Sequence, residues 1–284
     1  MLMKIANILE ETKDILSKSD VNNPLKESKL IISHVLDTGL EIFILKIDKE
    51  ITSIQKDRIF HLIKRRAKGE PIAYLTNSVN FYKDIFYVNN SVLIPRPETE
   101  ELIESVLKYI PNKKIKLNIL DIGIGSGIIL ACLLKELPNA FGVGTDISLK
   151  ALKIAYKNLY NLDVMKRSKL INSNWSGATK NNIFDIITCN PPYISDKYIK
   201  NLCKEVKNYE PLLALKGGIN GLDKFKELLP LARNAIKENG LLALEIGFDQ
   251  SKTLENILYK NKFILKEVKK DLSNNTRVLL AKPF

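Results

Sequence analysis

Asn118-Ile119-Leu120-Asp121-Ile122-Gly123-Ile124-Gly125-Ser126-Gly127 is an apolar run that ends in three glycines at alternate positions, and Ile128-Ile129-Leu130-Ala131 follows at once. The run 117–122 reads as a buried strand and 127–137 as a helix, so the glycines form the turn between them. Lacking Cβ atoms, they let the backbone approach a ligand closely. A second strand is expected near 140–145. Asp146 stands at its end, roughly 20 residues after the loop, where a carboxylate can accept hydrogen bonds from both hydroxyls of a ribose. A dinucleotide fingerprint starting at Gly123 would need glycine at position 128, which is Ile128. Asp121, entering the loop, would also repel a pyrophosphate.

The order DxGxGxG resembles the S-adenosylmethionine loop of class I methyltransferases, and Asp121 suits a ligand whose amino-acid end carries an ammonium and a sulfonium. Outward from the loop, strand and helix alternate. Strands are expected near 117–122, 140–145, 168–172, 184–189, 240–246, 262–268 and 275–281, and helices near 99–110, 127–137, 148–161, 197–206, 222–238 and 250–260. This order predicts an α/β fold, a mostly parallel seven-stranded Rossmann-like sheet with helices on both faces and ligands at the carboxyl ends of the strands.

Phe184-Asp185-Ile186-Ile187-Thr188-Cys189 is a further buried strand, and Asn190-Pro191-Pro192-Tyr193 stands at its carboxyl end. Two prolines fix the backbone and remove two donors, so the Pro191 carbonyl and the Asn190 side-chain oxygen can converge as acceptors on one target. Such a pair grips an NH2 group. An amide or exocyclic amine is a weak nucleophile because its lone pair is delocalised. Holding both hydrogens orients the nitrogen and stabilises the positive charge that develops on it, with no base needed before transfer. Tyr193 can stack on the planar target. Adenine, cytosine and glutamine all carry such a group.

Upstream, residues 1 to about 75 read as a small helical bundle. Ile5, Ile8, Leu9, Ile15 and Leu16 fall at helical spacing; Asn23-Pro24 caps a helix over Leu25–Leu36; Thr52 and Gln55 form a capping-box pattern before a helix to about Lys68, with Gly69 suited to its left-handed end. Residues 76–97 read as a hairpin linker, and 98–284 as the domain that carries the glycine loop. Pro97 and Glu98 suit the first turn of the helix that opens it.

Composition narrows the class. No apolar stretch approaches the roughly 20 residues that span a bilayer, and the acidic, uncleavable start predicts a cytoplasmic protein. Cys132, Cys189 and Cys203 form no CxxC pair and lie far in sequence from His34 and His61, which is the pattern of neither a disulfide framework nor a metal site. The net charge of +12 points to an acidic partner such as RNA. The lysines are scattered, however, as on an ordinary solvated surface.

Over nearly its whole length the chain resembles the release-factor glutamine methyltransferases, the HemK/PrmC family. The matching segments are Arg65-Arg66-Ala67-Lys68-Gly69-Glu70-Pro71-Ile72-Ala73-Tyr74-Leu75, Leu93-Ile94-Pro95-Arg96-Pro97-Glu98-Thr99-Glu100, the glycine loop, Asn190-Pro191-Pro192-Tyr193-Ile194, Glu210-Pro211 with Ala214-Leu215, and Glu245-Ile246-Gly247. The resemblance implies methylation of the glutamine side-chain amide in the Gly-Gly-Gln tripeptide of class I peptide chain release factors. It implies S-adenosylmethionine as donor, leaving S-adenosylhomocysteine, with no metal and no requirement for nucleic acid. It implies that the N-terminal bundle helps hold the release factor. Asp121, Gly123, Ile124, Gly125, Ser126, Gly127, Asp146, Trp175 and Asn190 are the implied cofactor contacts, and Asn190, Pro191, Pro192 and Tyr193 the implied catalytic grip. Trp175, the sole tryptophan, follows a strand and can cover an adenine face. Ile122 and Ile124 depart from the leucine and threonine commoner in the family, and Asn77 from a glycine. Chemistry alone assigns no role to Arg96 or Glu210. A ribosomal-protein glutamine methyltransferase would use the same grip. An adenine-N6 methyltransferase acting on DNA or RNA would need a basic, aromatic recognition region that the first 75 residues do not supply.

Overall fold

The computed structural model describes residues 3–284. By its internal contacts the chain forms two compact units, Met1–Ser78 with Cys203–Tyr209, and Val79–Leu202 with Glu210–Phe284.

In the first unit β1 (Met3–Lys4) leads into α1 (Ile5–Ser17), followed by α2 (Pro24–Val35), α3 (Leu40–Leu45), β2 (Glu50–Ile51), α4 (Ser53–Ala67) and α5 (Ile72–Thr76). The helix starts are fixed by their caps. Asn23 Oδ1 accepts from the Lys26 amide at 3.2 Å, and Thr52 and Gln55 satisfy each other's backbone amides in a capping box. The apolar stripes of α1, α2 and α4 close on Ile8, Leu16, Ile31, Ile32, Ile59 and Ile63, all fully buried. Arg66 is buried too, and stays charged by pairing with Glu27 and Glu205 and donating to the Glu70 carbonyl at 3.2 Å.

In the second unit a hairpin, β3 (Ser78–Phe81) and β4 (Asp84–Tyr87), precedes α6 (Thr99–Tyr109), and Asn77 takes the left-handed conformation at φ 53° before it. There follow β5 (Asn118–Ile122), α7 (Ile128–Glu136), β6 (Phe141–Asp146), α8 (Leu149–Asn161), β7 (Ser168–Asn172), β8 (Phe184–Cys189), β9 (Ile194–Ser195), α9 (Asp196–Ile199), β10 (Lys216–Gly218), α11 (Asp223–Ala235), β11 (Ile236–Glu245), α12 (Ser251–Lys260), β12 (Phe263–Lys270) and β13 (Thr276–Pro283); α10 (Lys204–Tyr209), between α9 and β10 in the chain, falls in the first unit. Seven strands join in the order β12-β13-β11-β8-β5-β6-β7, with only β13 reversed against its neighbours. Side chains alternate between the two faces. Ile119, Ile186 and Leu241 pack under α6, α7 and α8, while Leu120, Ile187 and Leu242 pack under α11 and α12.

Two elements differ from the sequence expectation. The helix expected over 197–206 is broken into α9 and α10. Residues of α10 belong to the first unit, drawn there by Glu205 on Arg66, Lys204 on Asp20 at 2.9 Å and the Tyr209 hydroxyl on the Lys68 carbonyl at 3.3 Å. The helix expected over 222–238 stops at Ala235, because Ile236 pairs with Phe184 and starts β11. Among the described residues no helix is long and apolar enough to cross a membrane.

The Arg66 cluster makes a direct prediction. Arg66→Met leaves Glu27 half-buried without its partner and removes the tie to Glu205, so the protein loses about 2–3 kcal/mol of stability, read as a lower urea midpoint.

Candidate active site

The crossover between β5 and β8 places two strand ends side by side. Ile122 pairs with Cys189 in parallel register, so Gly123 and Asn190, the next residues, emerge next to one another at the carboxyl edge of the sheet. Beside them lies a cavity of about 220 Å³, floored by Gly123–Ser126, walled by Asp146 and Trp175, and closed by Asn190, Pro191 and Pro192.

The glycine loop is open where a ligand needs it. A Cβ on Gly123 would meet nothing within 4 Å, and one on Gly125 only the Gly123 carbonyl oxygen at 3.9 Å. Gly127 serves packing instead, since its Cβ would lie 3.1 Å from the Ala155 backbone of α8. Ile124, the departure from the family pattern, fits because Gly144 on β6 faces it. A Cβ there would overlap the Ile124 side chain at 2.1 Å.

Asp146, at the end of β6, accepts from the Gly125 amide at 3.0 Å and the Ser148 amide at 2.8 Å. These bonds fix the carboxylate at the cavity wall with acceptor capacity to spare. Burial raises its pKa while both amides pull it down. Trp175 sits in a left-handed backbone conformation, φ 52°, and its Nε1 donates to Glu227 at 3.2 Å; Lys224 holds the same carboxylate at 2.8 Å and 3.0 Å. Its polar edge is satisfied and its ring is left to the wall.

Asn190 Nδ2 donates to Thr99 Oγ1 at 3.4 Å. Among the described residues neither Asn190 Oδ1 nor the Pro191 carbonyl receives a hydrogen bond, so both acceptors are unspent. The turn is clamped beyond them. Gln250 Nε2 donates to the carbonyls of Tyr193 at 3.1 Å and Gly221 at 3.0 Å, while β9 pairs with β10.

Three of the residues singled out in the sequence stand apart from the cavity: Asp121, Gly127 and Tyr193. Asp121 is wholly buried and accepts from Thr188 Oγ1 of the neighbouring strand at 2.7 Å. Burial pushes it up to about 7, against the pull of the Thr188 hydroxyl and the Leu130 amide. The Tyr193 hydroxyl donates to Glu245 Oε1 at 3.3 Å, and Thr99 donates to Glu245 Oε2 at 2.7 Å. Thr99 and Glu245 lie in segments that match the family, but no role for either is legible in the sequence. Arg96 and Glu210, also without a role there, form an ion pair at 2.6 Å, and Glu210 accepts from the Ile94 amide at 3.3 Å; the pair ties together the segments that bring Pro95 and Pro211 to the wall. The thiols of Cys132 and Cys189 are buried, which pushes the first up to about 12 and the second well above its ordinary value, so both stay protonated and inert.

A sheet in this order, with a glycine loop, an acid after the second strand and a proline-fixed turn after the fourth, defines a class I methyltransferase. Residues 7–76 match the PrmC N-terminal domain and residues 101–209 the methyltransferase small domain. The chain is 34% identical over 281 residues to the release factor glutamine methyltransferase of Caulobacter vibrioides, covering 99% of this chain and 97% of that one. It is 36% identical over 267 residues to the release factor glutamine methyltransferase of Agrobacterium fabrum, with 93% and 92% covered. The chain belongs to the release factor glutamine methyltransferase family. It also matches, at 34% identity over its full length, the bifunctional methyltransferase of Rickettsia conorii, of which it spans 59%. Among solved structures the hMettl16 catalytic domain in complex with MAT2A 3'UTR hairpin 6 aligns with a TM-score of 0.54 at 17% identity over 82% of each chain. The ribosomal protein L11 methylase of Lactobacillus delbrueckii subsp. bulgaricus aligns at 0.50 and 18% identity over 66% of this chain and 80% of that one. Both share the fold.

Two outcomes follow from the loop and its buried acid. Gly127→Ala combines φ 81° with a 3.1 Å contact, and costs about 2 kcal/mol of stability. Gly125→Ala meets only the Gly123 carbonyl oxygen, at 3.9 Å, and costs about 1 kcal/mol, its larger loss being in ligand affinity; urea unfolding beside calorimetric titration with S-adenosylmethionine separates the two. For Asp121, a carboxyl whose folded pKa lies above its unfolded one favours the fold below about pH 4, and that contribution is lost as pH rises through about 7. Asp121→Asn keeps an acceptor for Thr188 without the charge. Its stability relative to the parent therefore rises by up to about 4 kcal/mol between pH 4 and 8, measured by urea unfolding at both ends.

Proposed function

We propose that the protein methylates the side-chain amide nitrogen of the glutamine in the Gly-Gly-Gln tripeptide of class I peptide chain release factors, with S-adenosylmethionine as donor, in the cytoplasm where termination occurs. The observation that carries the reading is the pair of unspent acceptors, Asn190 Oδ1 and the Pro191 carbonyl, beside the cavity over the glycine loop. The curated relatives' names supply the substrate.

The cavity suits the donor: bare backbone at Gly123 and Gly125 for its amino-acid end, Asp146 for its ribose, Trp175 and Ile147 for its base. When bound it supplies a methyl group on a sulfonium. Asn190 and Pro191 each take one hydrogen of the glutamine NH2, which orients the nitrogen so that its lone pair faces the methyl. As positive charge grows on nitrogen, both oxygens stabilise it, in a site preorganised by Gln250 and the two prolines. The nitrogen then loses one proton to solvent. Asp121 supports the site indirectly, by tying β5 to β8 through Thr188. In this reading residues 1–75 help hold the release factor, 76–97 link, and 98–284 carry the chemistry.

Mass spectrometry of purified release factor incubated with the protein and S-adenosylmethionine tests this. A methyl maps to the tripeptide glutamine, and Asn190→Ala lowers turnover by 100-fold or more, on the order of 3 kcal/mol, with donor affinity largely kept. A methyl found on ribosomal protein or adenine instead would overturn the substrate; unchanged turnover in Asn190→Ala would overturn the grip.

A further inference from the structure

Behind Asn190 runs a chain of hydrogen bonds that the reaction as described does not use. Asn190 Nδ2 donates to Thr99 Oγ1 at 3.4 Å, Thr99 donates to Glu245 Oε2 at 2.7 Å, and the Tyr193 hydroxyl donates to Glu245 Oε1 at 3.3 Å. Thr99, Asn190 and Tyr193 are partly or wholly buried, and Glu245 is 1% exposed. Resting on the reading of Asn190 as the amine grip, we propose that Thr99 and Glu245 are positioning residues that set the polarity of the Asn190 amide, so that its oxygen faces the reacting NH2 only while Glu245 is ionised.

The polarity of Asn190 follows from the donors and acceptors around it. An amide side chain offers an oxygen that accepts and an NH2 that donates, and its shape scarcely distinguishes the two orientations. A threonine hydroxyl has one proton. An ionised carboxylate can only accept, so the Thr99 proton goes to Glu245 and the Thr99 oxygen is left to accept. The group facing it must then be the Asn190 NH2, and the Asn190 oxygen is turned to the cavity. Protonating Glu245 adds a donor where both neighbours already donate. On Oε2 it frees the Thr99 proton to bond the Asn190 oxygen, which turns the NH2 toward the substrate and sets donor against donor. On Oε1 it displaces the Tyr193 hydroxyl and disturbs the same turn. Either way the grip is weakened.

The surroundings of Glu245 place this change near neutrality. Burial pushes its carboxyl up to about 7, opposed by the bonds from Thr99 and Tyr193 and by Arg277 on β13. The other titratable groups that face it are Glu98 before α6, which raises it, and the protonated thiol of Cys189 on β8. Arg277 is itself engaged with Asp271 at 2.8 Å. Asp121 and Glu210, also buried, bond Thr188 and Arg96 respectively and take no part in the chain.

The test is the pH dependence of glutamine methylation between pH 5.5 and 9 for the full-length protein, with the methylated residue identified and S-adenosylmethionine affinity measured alongside. The parent's kcat falls about tenfold for each pH unit below about 7. Glu245→Gln flattens that acid limb and has a plateau about tenfold lower, with donor affinity within twofold of the parent. Thr99→Val, which keeps the shape and removes the hydroxyl, does the same, and Thr99→Ser restores both the plateau and the limb; this pair stands if the Glu245 variant fails to fold. An acid limb that survives in Glu245→Gln and Thr99→Val while the methyl still appears on the glutamine overturns the proposal and leaves the amine grip intact. Absence of any methyl on that glutamine with the parent protein overturns the reading beneath it, and the proposal with it.

Discussion

The parallel register between β5 and β8 decides where everything else in the site falls. With Ile122 opposite Cys189, both strands end at the same level, and the chain leaves one as a glycine loop and the other as Asn190-Pro191-Pro192-Tyr193. A slip of one residue would turn every side chain of one strand to the opposite face. The buried bond from Thr188 to Asp121 couples the same pair of strands immediately before the loop. An unpaired polar atom at either position would cost about 1–3 kcal/mol, so a slipped register is penalised twice, in apolar burial and in this bond. Asp146 is set by the same sheet, because β6 runs beside β5 with Thr145 opposite Ile122.

Buried and half-buried carboxyls recur around the site, and they have different work. Asp121 ties strands behind the loop, Asp146 organises the loop amides at the wall, Glu210 neutralises Arg96, and Glu245 sits behind Asn190. Burial of a carboxyl is costly unless its charge is paired or heavily hydrogen-bonded. Glu210 has a guanidinium. Asp121 and Glu245 have mainly hydroxyl partners, and both are pushed up to about 7. A fold selected for stability alone would place apolar residues there. Their retention within one or two side chains of the transfer site fits the pattern in which perturbed carboxyls gather where charge must be arranged.

Most of the architecture was legible in the sequence because it rests on local signals. The strand-glycine-helix passage, Asp146 one strand later and the proline-fixed turn after β8 are each contiguous, and the helix caps at Asn23 and Thr52 form from neighbours within three residues. The features that escaped depend on pairs distant in the chain. Thr99 and Glu245 are 146 positions apart and Arg96 and Glu210 are 114 apart; no spacing rule connects them. The break between α9 and α10 has the same origin, since Glu205 leaves the expected helix for Arg66, 139 positions away. Asp121 shows a subtler limit. An acid at the mouth of a glycine loop reads as a ligand contact, yet alternation along β5 points its side chain to Thr188 rather than into the cavity, and only the neighbouring strand reveals that.

The proposed amine grip is indifferent to what carries the NH2, since adenine, cytosine and glutamine present the same two hydrogens. Selection among them must come from shape and from polarity. The wall made by Pro95, Pro191, Pro192 and Pro211 supplies the shape: rigid, apolar and without backbone amide donors. A purine would bring ring nitrogens that need donors, and the four prolines offer none. A primary amide asks only for two acceptors on its nitrogen and one donor for its oxygen. On the proposed function, the proline wall and the two acceptors favour a flexible side chain reaching inward over a base flipped out of a stack.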